Sequence, residues 1–246
     1  MKTFKWQLSF GLLLIGISAA IYYIHYLLFN DLHDIIFYLI HDIAFVPIEV
    51  LLVTLIIHQL LDMREKSTLF KKLNMIIGSF FSEVGTKLLG EISACDKDYH
   101  KIKGQFIITP DWEDKDFKKA IKHFKNYNFT LEPSKEKLQT LKLFLKEKKG
   151  FLLRLLANPN LLEHDRFTDL LWAVHHLDEE LIHRKDIAHL SANDFDHIVN
   201  DVKRAYSLLI IEWLAYMKHL KNDYPYLFSL AIRINPYDPS ASPEIS

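Results

Sequence analysis

The stretch HHLDEELIHR, residues 175–184, sets His176, Glu180 and His183 at i, i+4 and i+7, one face of an α-helix. Imidazole and carboxylate are ligands for first-row divalent metals, so these three residues are a candidate metal set. A Glu with a His three residues later also occurs in di-iron bundles, which need two such pairs and two further carboxylates. This chain supplies one pair. The apolar stripe of the same segment, Leu170, Val174, Leu177 and Leu181, lies almost opposite on a helical wheel. Ligands in a bundle core point inward, so the expectation for His176, Glu180 and His183 is a solvated face. His197, Asp201 and Arg204 fall on the polar face of the last long helix. Glu212, within LLIIEWL, flanks that helix's core stripe and is expected as a semi-buried acid with a structural hydrogen bond.

A second constellation lies in an apolar setting. IIFYLIHDIAFVPIEVLLVTLIIHQLL, residues 35–61, is long enough to span a bilayer yet carries His41, Asp42, Pro47 and Glu49. Asp42 and Glu49 are seven residues apart, two turns, and share a face to within about 20°. Tyr38 joins that face. In the preceding run, Ser18, Tyr22 and His25 form their own stripe, and His25 is placed to face His41 or Asp42. An ionised acid at the bilayer centre costs about 2.5–3.5 kcal/mol on insertion scales. The intramembrane set His25, His41, Asp42 and Glu49 is therefore expected to face the helix pair's interior or a seam between copies. Two functions follow from it: a polar seam that fixes register, or proton or cation handling in a multimer.

The elements that position these residues can be read from periodicity. From Trp6 to Asn30 no side chain is charged if His25 is neutral, and the run is again long enough to span. Only NDLHD separates it from the second run, so helices over about 6–30 and 35–61 make a hairpin. Lys2 and Lys5 precede the hairpin, and Arg64, Lys66, Lys71 and Lys72 follow it. The turn carries Asp31 and Asp34 and no Lys or Arg. The positive-inside rule then predicts a two-pass protein of the cell (inner) membrane with both termini cytoplasmic. A cleaved signal peptide with SAA at its site is the competing reading, but the apolar run continues to Phe29 and a second run follows.

Beyond residue 62 the pattern is helical and amphipathic. Leu69, Leu73, Ile76, Phe80, Val84 and Leu88 make one stripe, on a helix that could lie on the membrane surface or pack in its own domain. QFIIT is at most one short strand. Thr109 with Pro110 reads as a helix start, with the helix running to about Lys125. Ser134 opens a helix to about Ala157, with a break possible at Gly150. Another runs from Asp165 to Arg184, and Ser191 with Asp194 resembles a capping box for a helix to about Lys221. Pro225 stops it. The fold class is all-α: an N-terminal transmembrane hairpin over 1–62, a cytoplasmic helical bundle over 63–234, and a polar tail over 235–246.

The charges nearly cancel, 30 basic against 31 acidic, so no nucleic-acid partner is expected. The single Cys95 excludes an intrachain disulfide. Arg184 and His189 repeat an R-x4-H spacing found in helical nuclease domains of the HEPN type, but His189 precedes the Ser191 cap and falls in a loop. There is no phosphate-binding loop, dinucleotide fingerprint, zinc-finger spacing or nucleophile elbow. No catalytic residue and no cofactor are assigned.

FTDLLWAVHHLDEEL (167–181), HLKNDYPYLFSLAIRINPYD (219–238) and HDIAFVPIEVLLVTLIIHQLL (41–61) resemble a group of uncharacterised prokaryotic integral membrane proteins. That resemblance implies an N-terminal two-helix hairpin and a helical cytoplasmic domain, and brings no activity or site residues. The leading expectation is a membrane-anchored binding or regulatory module that forms a homo-oligomer, its partners being the lipid bilayer and a cytoplasmic protein. A small multimeric proton or cation transporter or channel using Asp42 and Glu49 is second. A membrane-anchored metal-dependent enzyme is third.

Overall fold

Asn30 and Asp31 make the first turn of the chain, and both are local choices. Asn30 adopts the left-handed conformation (φ 48°) that Asn tolerates, and its N–H still bonds Tyr26 O at 2.8 Å. Asp31 then accepts from His33 N (2.9 Å) and Asp34 N (3.2 Å), so it caps the next helix. The computed structural model describes residues 2–244, and the side chains of all of these but 2–5, 8, 67, 162 and 163. Lys2 and Lys5, used above for orientation, have side chains outside that set, and Ile245 and Ser246 of the expected tail lie outside the described residues. Helix α1 spans Lys2–Phe29 and α2 spans Leu32–Phe80. Pro47 is accommodated inside α2, which continues through it.

The chain divides into two compact units, 1–66 and 67–246. In the first, both helices are long and apolar enough to cross a membrane by length and composition. Their side chains bury almost nothing. Among the described residues 6–66, every residue is exposed except Gly11, Tyr22, His25 and Ile35, which are half-buried.

The second unit is all helix, plus an isolated bridge between Asp96 and Leu131. It opens with the end of α2, a π-helical turn Phe81–Gly85, and α3, Thr86–Ser93. The wide turn shifts the helical register by one residue. The stripe expected from Leu73 and Phe80 therefore doubles, and Phe80, Phe81, Val84, Gly85, Leu88 and Leu89 are all buried. Gly85 is fitted to this turn: a Cβ there would fall 2.5 Å from a Phe81 ring carbon and 2.8 Å from one of Phe80. Phe80 packs edge-on against Phe167, and Phe81 stacks on Tyr216 at 5.0 Å.

The other helices are α4 (Tyr99–Ile102), α5 (Asp114–Lys125), α6 (Lys135–Leu156), α7 (Asp165–His183), α8 (Ala192–Asp223) and α9 (Pro225–Arg233). Helix α8 is central, with α3, α5, α7 and α9 packed on it, and α6 packs on α7. Ser134 and Ser191 cap α6 and α8 as expected, accepting from Lys137 N (3.2 Å) and Asp194 N (3.3 Å). Gly150 does not break α6.

Three expectations change. QFIIT is not a strand: Gln105 ends a 3₁₀ turn and the following residues are irregular. Thr109 and Pro110 start a turn, not a helix, with Trp112 N bonded to Thr109 O at 3.2 Å. Helix α5 begins later, where Glu113 and Asp116 close a reciprocal capping box. Pro225 ends α8 but also opens α9, since proline is well suited to a first helical turn.

The fourth change is the tail. Asn235 and Tyr237 are 1% and 0% exposed, so the start of the expected tail is anchored in the core and is not a polar extension. Asn235 donates to Phe106 O at 2.7 Å and accepts from Tyr237 N at 3.0 Å. The Tyr237 ring stacks on Phe106 at 4.1 Å, and its hydroxyl donates to Tyr206 Oη at 3.1 Å. Burial pushes both phenols above the ordinary tyrosine value, so both keep their protons.

Candidate functional site

The residues that converge in the second unit come from α7 and α8. His176 and Glu180 stand one turn apart on α7, and His197 and Asp201 stand one turn apart on α8. The two helices pack together, and the two pairs meet. His176 Nε2 lies 3.8 Å from Glu180 Oε1 and 3.5 Å from Asp201 Oδ2. His197 Nε2 lies 3.5 Å from Glu180 Oε2 and 3.5 Å from the same Asp201 Oδ2. Donor atoms of His176, Glu180 and Asp201 all fall within 4.8 Å of one another.

Two arginines hold the far side of the carboxylates. Arg184 Nη1 bonds Glu180 Oε2 at 2.5 Å and the Glu180 carbonyl at 2.6 Å. Its Nε and Nη2 take Asp194 of α8 in a fork at 2.5–3.0 Å, so the guanidinium ties the end of α7 to the start of α8. This guanidinium holds Glu180 and Asp194 below the usual carboxylate range. Arg204 Nη1 pairs with Asp201 Oδ1 at 3.3 Å. Each acid thus has one oxygen held by an arginine, Glu180 Oε2 and Asp201 Oδ1, while Glu180 Oε1 and Asp201 Oδ2 face His176. Asp201 is 2% exposed, and its Oδ2 has no hydrogen-bond partner. The imidazoles are half exposed, at 45% and 54%, so the site opens to solvent on their side.

The expected metal set is therefore rearranged. His176 and Glu180 are together, but His183 is not with them. It is 74% exposed, and its Nδ1 contacts the Glu179 carbonyl at 2.8 Å. Asp201 and His197 take its place. The wheel placed Asp201 on a polar face, correctly for α8 in isolation. Helix α7 covers that face, and the face of His176 and Glu180 expected to be solvated looks onto it. The detectable signal was the repeat of His and acid at i, i+4 on both helices.

On another face of α7, Asp178 is fully buried and both its carboxylate oxygens lack hydrogen-bond partners. Burial pushes its carboxyl up, and Lys149 opposes that. Glu212, expected as a semi-buried acid with a structural hydrogen bond, is fully buried at 2% exposed, and its Oε2 has no hydrogen-bond partner. His164 Nε2 stands 3.7 Å away and Arg166 Nε 3.8 Å away.

Among the described residues of the first unit, His25 does not meet His41 or Asp42 across the turn. His25 rests against Phe29 with ring centroids 4.8 Å apart, and its Nδ1 has no hydrogen-bond partner. His41 Nδ1 lies 3.5 Å from the neighbouring Asp42, both side chains more than 60% exposed. Glu49 is exposed as well. Of the two places expected for the acids of this stripe, Asp42 and Glu49 do not take the interior of the helix pair.

Residues 2–61 match the family model described as "MJ1433, N-terminal helical domain", and residues 69–233 match "Uncharacterized protein MJ1433, C-terminal helical domain". A relative, "Uncharacterized protein MJ1433" of Methanocaldococcus jannaschii, is 46% identical over 238 residues, covering 97% of this chain and 96% of that protein. No solved structure matches the chain. The two matched segments fall on the helices of the first unit and on the bundle of the second, and with nearly the whole length aligned the chain belongs to the MJ1433 family, built of an N-terminal and a C-terminal helical domain.

Proposed function

We propose that this protein is a two-pass membrane protein whose copies associate within the bilayer and whose helical domain over 67–246 works in the cytoplasm as a binding or regulatory module. One observation carries the reading: the apolar side chains of α1 and of α2 up to Leu61 are exposed almost throughout. Exposed apolar patches of soluble monomers rarely exceed a few hundred Å². Lipid is the cover that suits two helices of this length. Charge supports the orientation, with lysines and arginine at the ends of the pair and Asp31 and Asp34 in the turn.

Association follows from Asp42 and Glu49. Both lie on α2, both are exposed, and α1 shields neither. In lipid an acid near mid-span needs a polar partner, and the same stripe of a second copy supplies one.

Two measurements test this. With Cys95 replaced by Ser, a single Leu32→Cys at the turn should react with a membrane-impermeant maleimide in intact cells. A cysteine after the C-terminal helix should react only once the cells are permeabilised. Reaction in the opposite pattern overturns the topology. For association, the full chain in nanodiscs should be oligomeric, Glu49→Leu should shift it toward monomer, and Glu49→Gln should retain it. A monomeric wild type, or a Glu49→Leu protein unchanged in size, removes the seam.

A further inference from the structure

We propose that α7 and α8 together bind one divalent first-row transition-metal ion of the Zn²⁺ class, through His176 Nε2, Glu180 Oε1 and Asp201 Oδ2, with His197 Nε2 as fourth donor. The distances argue for it. Hydrogen bonds between nitrogen and oxygen fall at about 2.7–3.2 Å. Donors at about 2.0–2.2 Å from a tetrahedral ion stand about 3.4 Å from each other. The separations between these donors are 3.5 Å from His176 to Asp201 Oδ2, 3.5 Å from His197 to the same oxygen and 3.8 Å from His176 to Glu180 Oε1, too long for hydrogen bonds and close to the edge of such a cage.

Asp201 supplies an independent sign. A buried carboxylate oxygen without a donor costs free energy, and buried polar groups are nearly always satisfied. Asp201 Oδ2 is such an atom, and it faces both imidazoles. An ion at the centre would satisfy it directly.

The supports around the donors fit as well. Arg184 and Arg204 occupy the opposite oxygens of the two acids, which fixes the carboxylate planes as outer partners do in metal sites. Three carboxylates, Glu180, Asp194 and Asp201, stand against two guanidinium groups, leaving an excess negative charge when the imidazoles are neutral. The donors are two imidazoles and two carboxylates, which suits Zn²⁺, Fe²⁺ or Mn²⁺ better than the thiolate-seeking ions, while the nitrogens disfavour Mg²⁺ and Ca²⁺. All four donors sit inside helices α7 and α8, so the site does not depend on a loop, and the half-exposed imidazoles give an ion an entry path.

The test uses the full chain in detergent, stripped with chelator and titrated with ZnCl₂ against a chromophoric competitor, with MgCl₂ as the contrast. One equivalent of Zn²⁺ should bind and Mg²⁺ should not compete. Asp201→Asn keeps the shape and removes the free anionic oxygen. It should weaken binding by more than the about 100-fold that loss of an outer partner costs. His176→Gln, at a half-exposed position, should do the same. His183→Ala should bind as wild type. Loading with Co²⁺ should give the intense visible absorption of a tetrahedral N/O site, abolished in Asp201→Asn. Thermal melts of each apo variant separate lost binding from lost fold, and His176→Gln decides if Asp201→Asn does not fold. Absence of stoichiometric Zn²⁺ binding by the wild type overturns the proposal. So does equal binding by wild type, Asp201→Asn and His176→Gln.

Discussion

Tyr237→Ala should destabilise the helical domain by about 3–5 kcal/mol, the usual cost of removing a buried aromatic ring. In a domain of this size that lowers the melting temperature by roughly 6–20 °C. The ring is fully buried, stacks on Phe106 at 4.1 Å and lies 5.6 Å from Trp213. Its hydroxyl is the donor to Tyr206, and its carbonyl accepts from Tyr99 Oη at 3.1 Å. Tyr237→Phe keeps the stack and removes one hydroxyl, so its cost should be about 1 kcal/mol. Two truncations separate the anchor from the residues beyond it. Ending the chain after Asp238 should leave stability within about 0.5 kcal/mol, in the range of surface changes. Ending it after Ile234 should cost at least as much as Tyr237→Ala. Urea midpoints of the four proteins decide the matter. A Tyr237→Ala midpoint equal to that of Tyr237→Phe means that the ring does not hold the core together.

Tyr237 also marks where reading the sequence stops working. Ser134 and Ser191 were legible as caps because a cap is a contact between residues three apart. The length of α8 and the buried stripe of α7 were legible because helical period carries them. NPYD looked like a tail because its Pro and Asp are turn residues and nothing nearby claims them. Its partners are Phe106, Tyr206 and Tyr99, which are distant in the chain. Thr109–Pro110 carried the expected helix start, and the reciprocal capping of Glu113 and Asp116, which that reading did not weigh, sets the start of α5 at Asp114 instead. The metal candidate divides the same way. The spacing of His176 and Glu180 on one turn was visible, and so was that of His197 and Asp201. That these two faces oppose each other is a property of how α7 packs on α8, which no periodicity within either helix contains. His183 shares the direction of His176 on a wheel but sits about 10 Å farther along the axis, past the place where the α8 donors lie.

Glu212→Gln should make the domain more stable at neutral pH, by about 1–3 kcal/mol, and leave it unchanged in acid. The carboxylate is 2% exposed, with Oε2 unpartnered. Burial raises its pKa, and the charges of Arg166 and His164, at 3.8 and 3.7 Å, oppose that without cancelling it. The sign follows from linkage. A carboxyl whose folded pKa is raised holds its proton in the native state at pH values where the unfolded chain has lost it. The native state then binds more protons, and stability falls as pH rises. The stabilisation is complete below the ordinary value of 4.5 and is lost as pH climbs through the folded pKa. Glutamine does not titrate, so the variant lacks this fall. Every other titrating group is common to both proteins, so the difference between the two curves isolates Glu212 where neither curve alone does. Urea midpoints of both proteins from pH 4 to pH 8 should coincide at the acid end and separate upward, with Glu212→Gln the more stable. If the variant is instead the less stable at pH 8, Arg166 and His164 outweigh burial and Glu212 is a working ion-pair partner of the α7 start. Arg166→Gln is the companion measurement: with one opposing cation removed, the advantage of adding Glu212→Gln to it should grow.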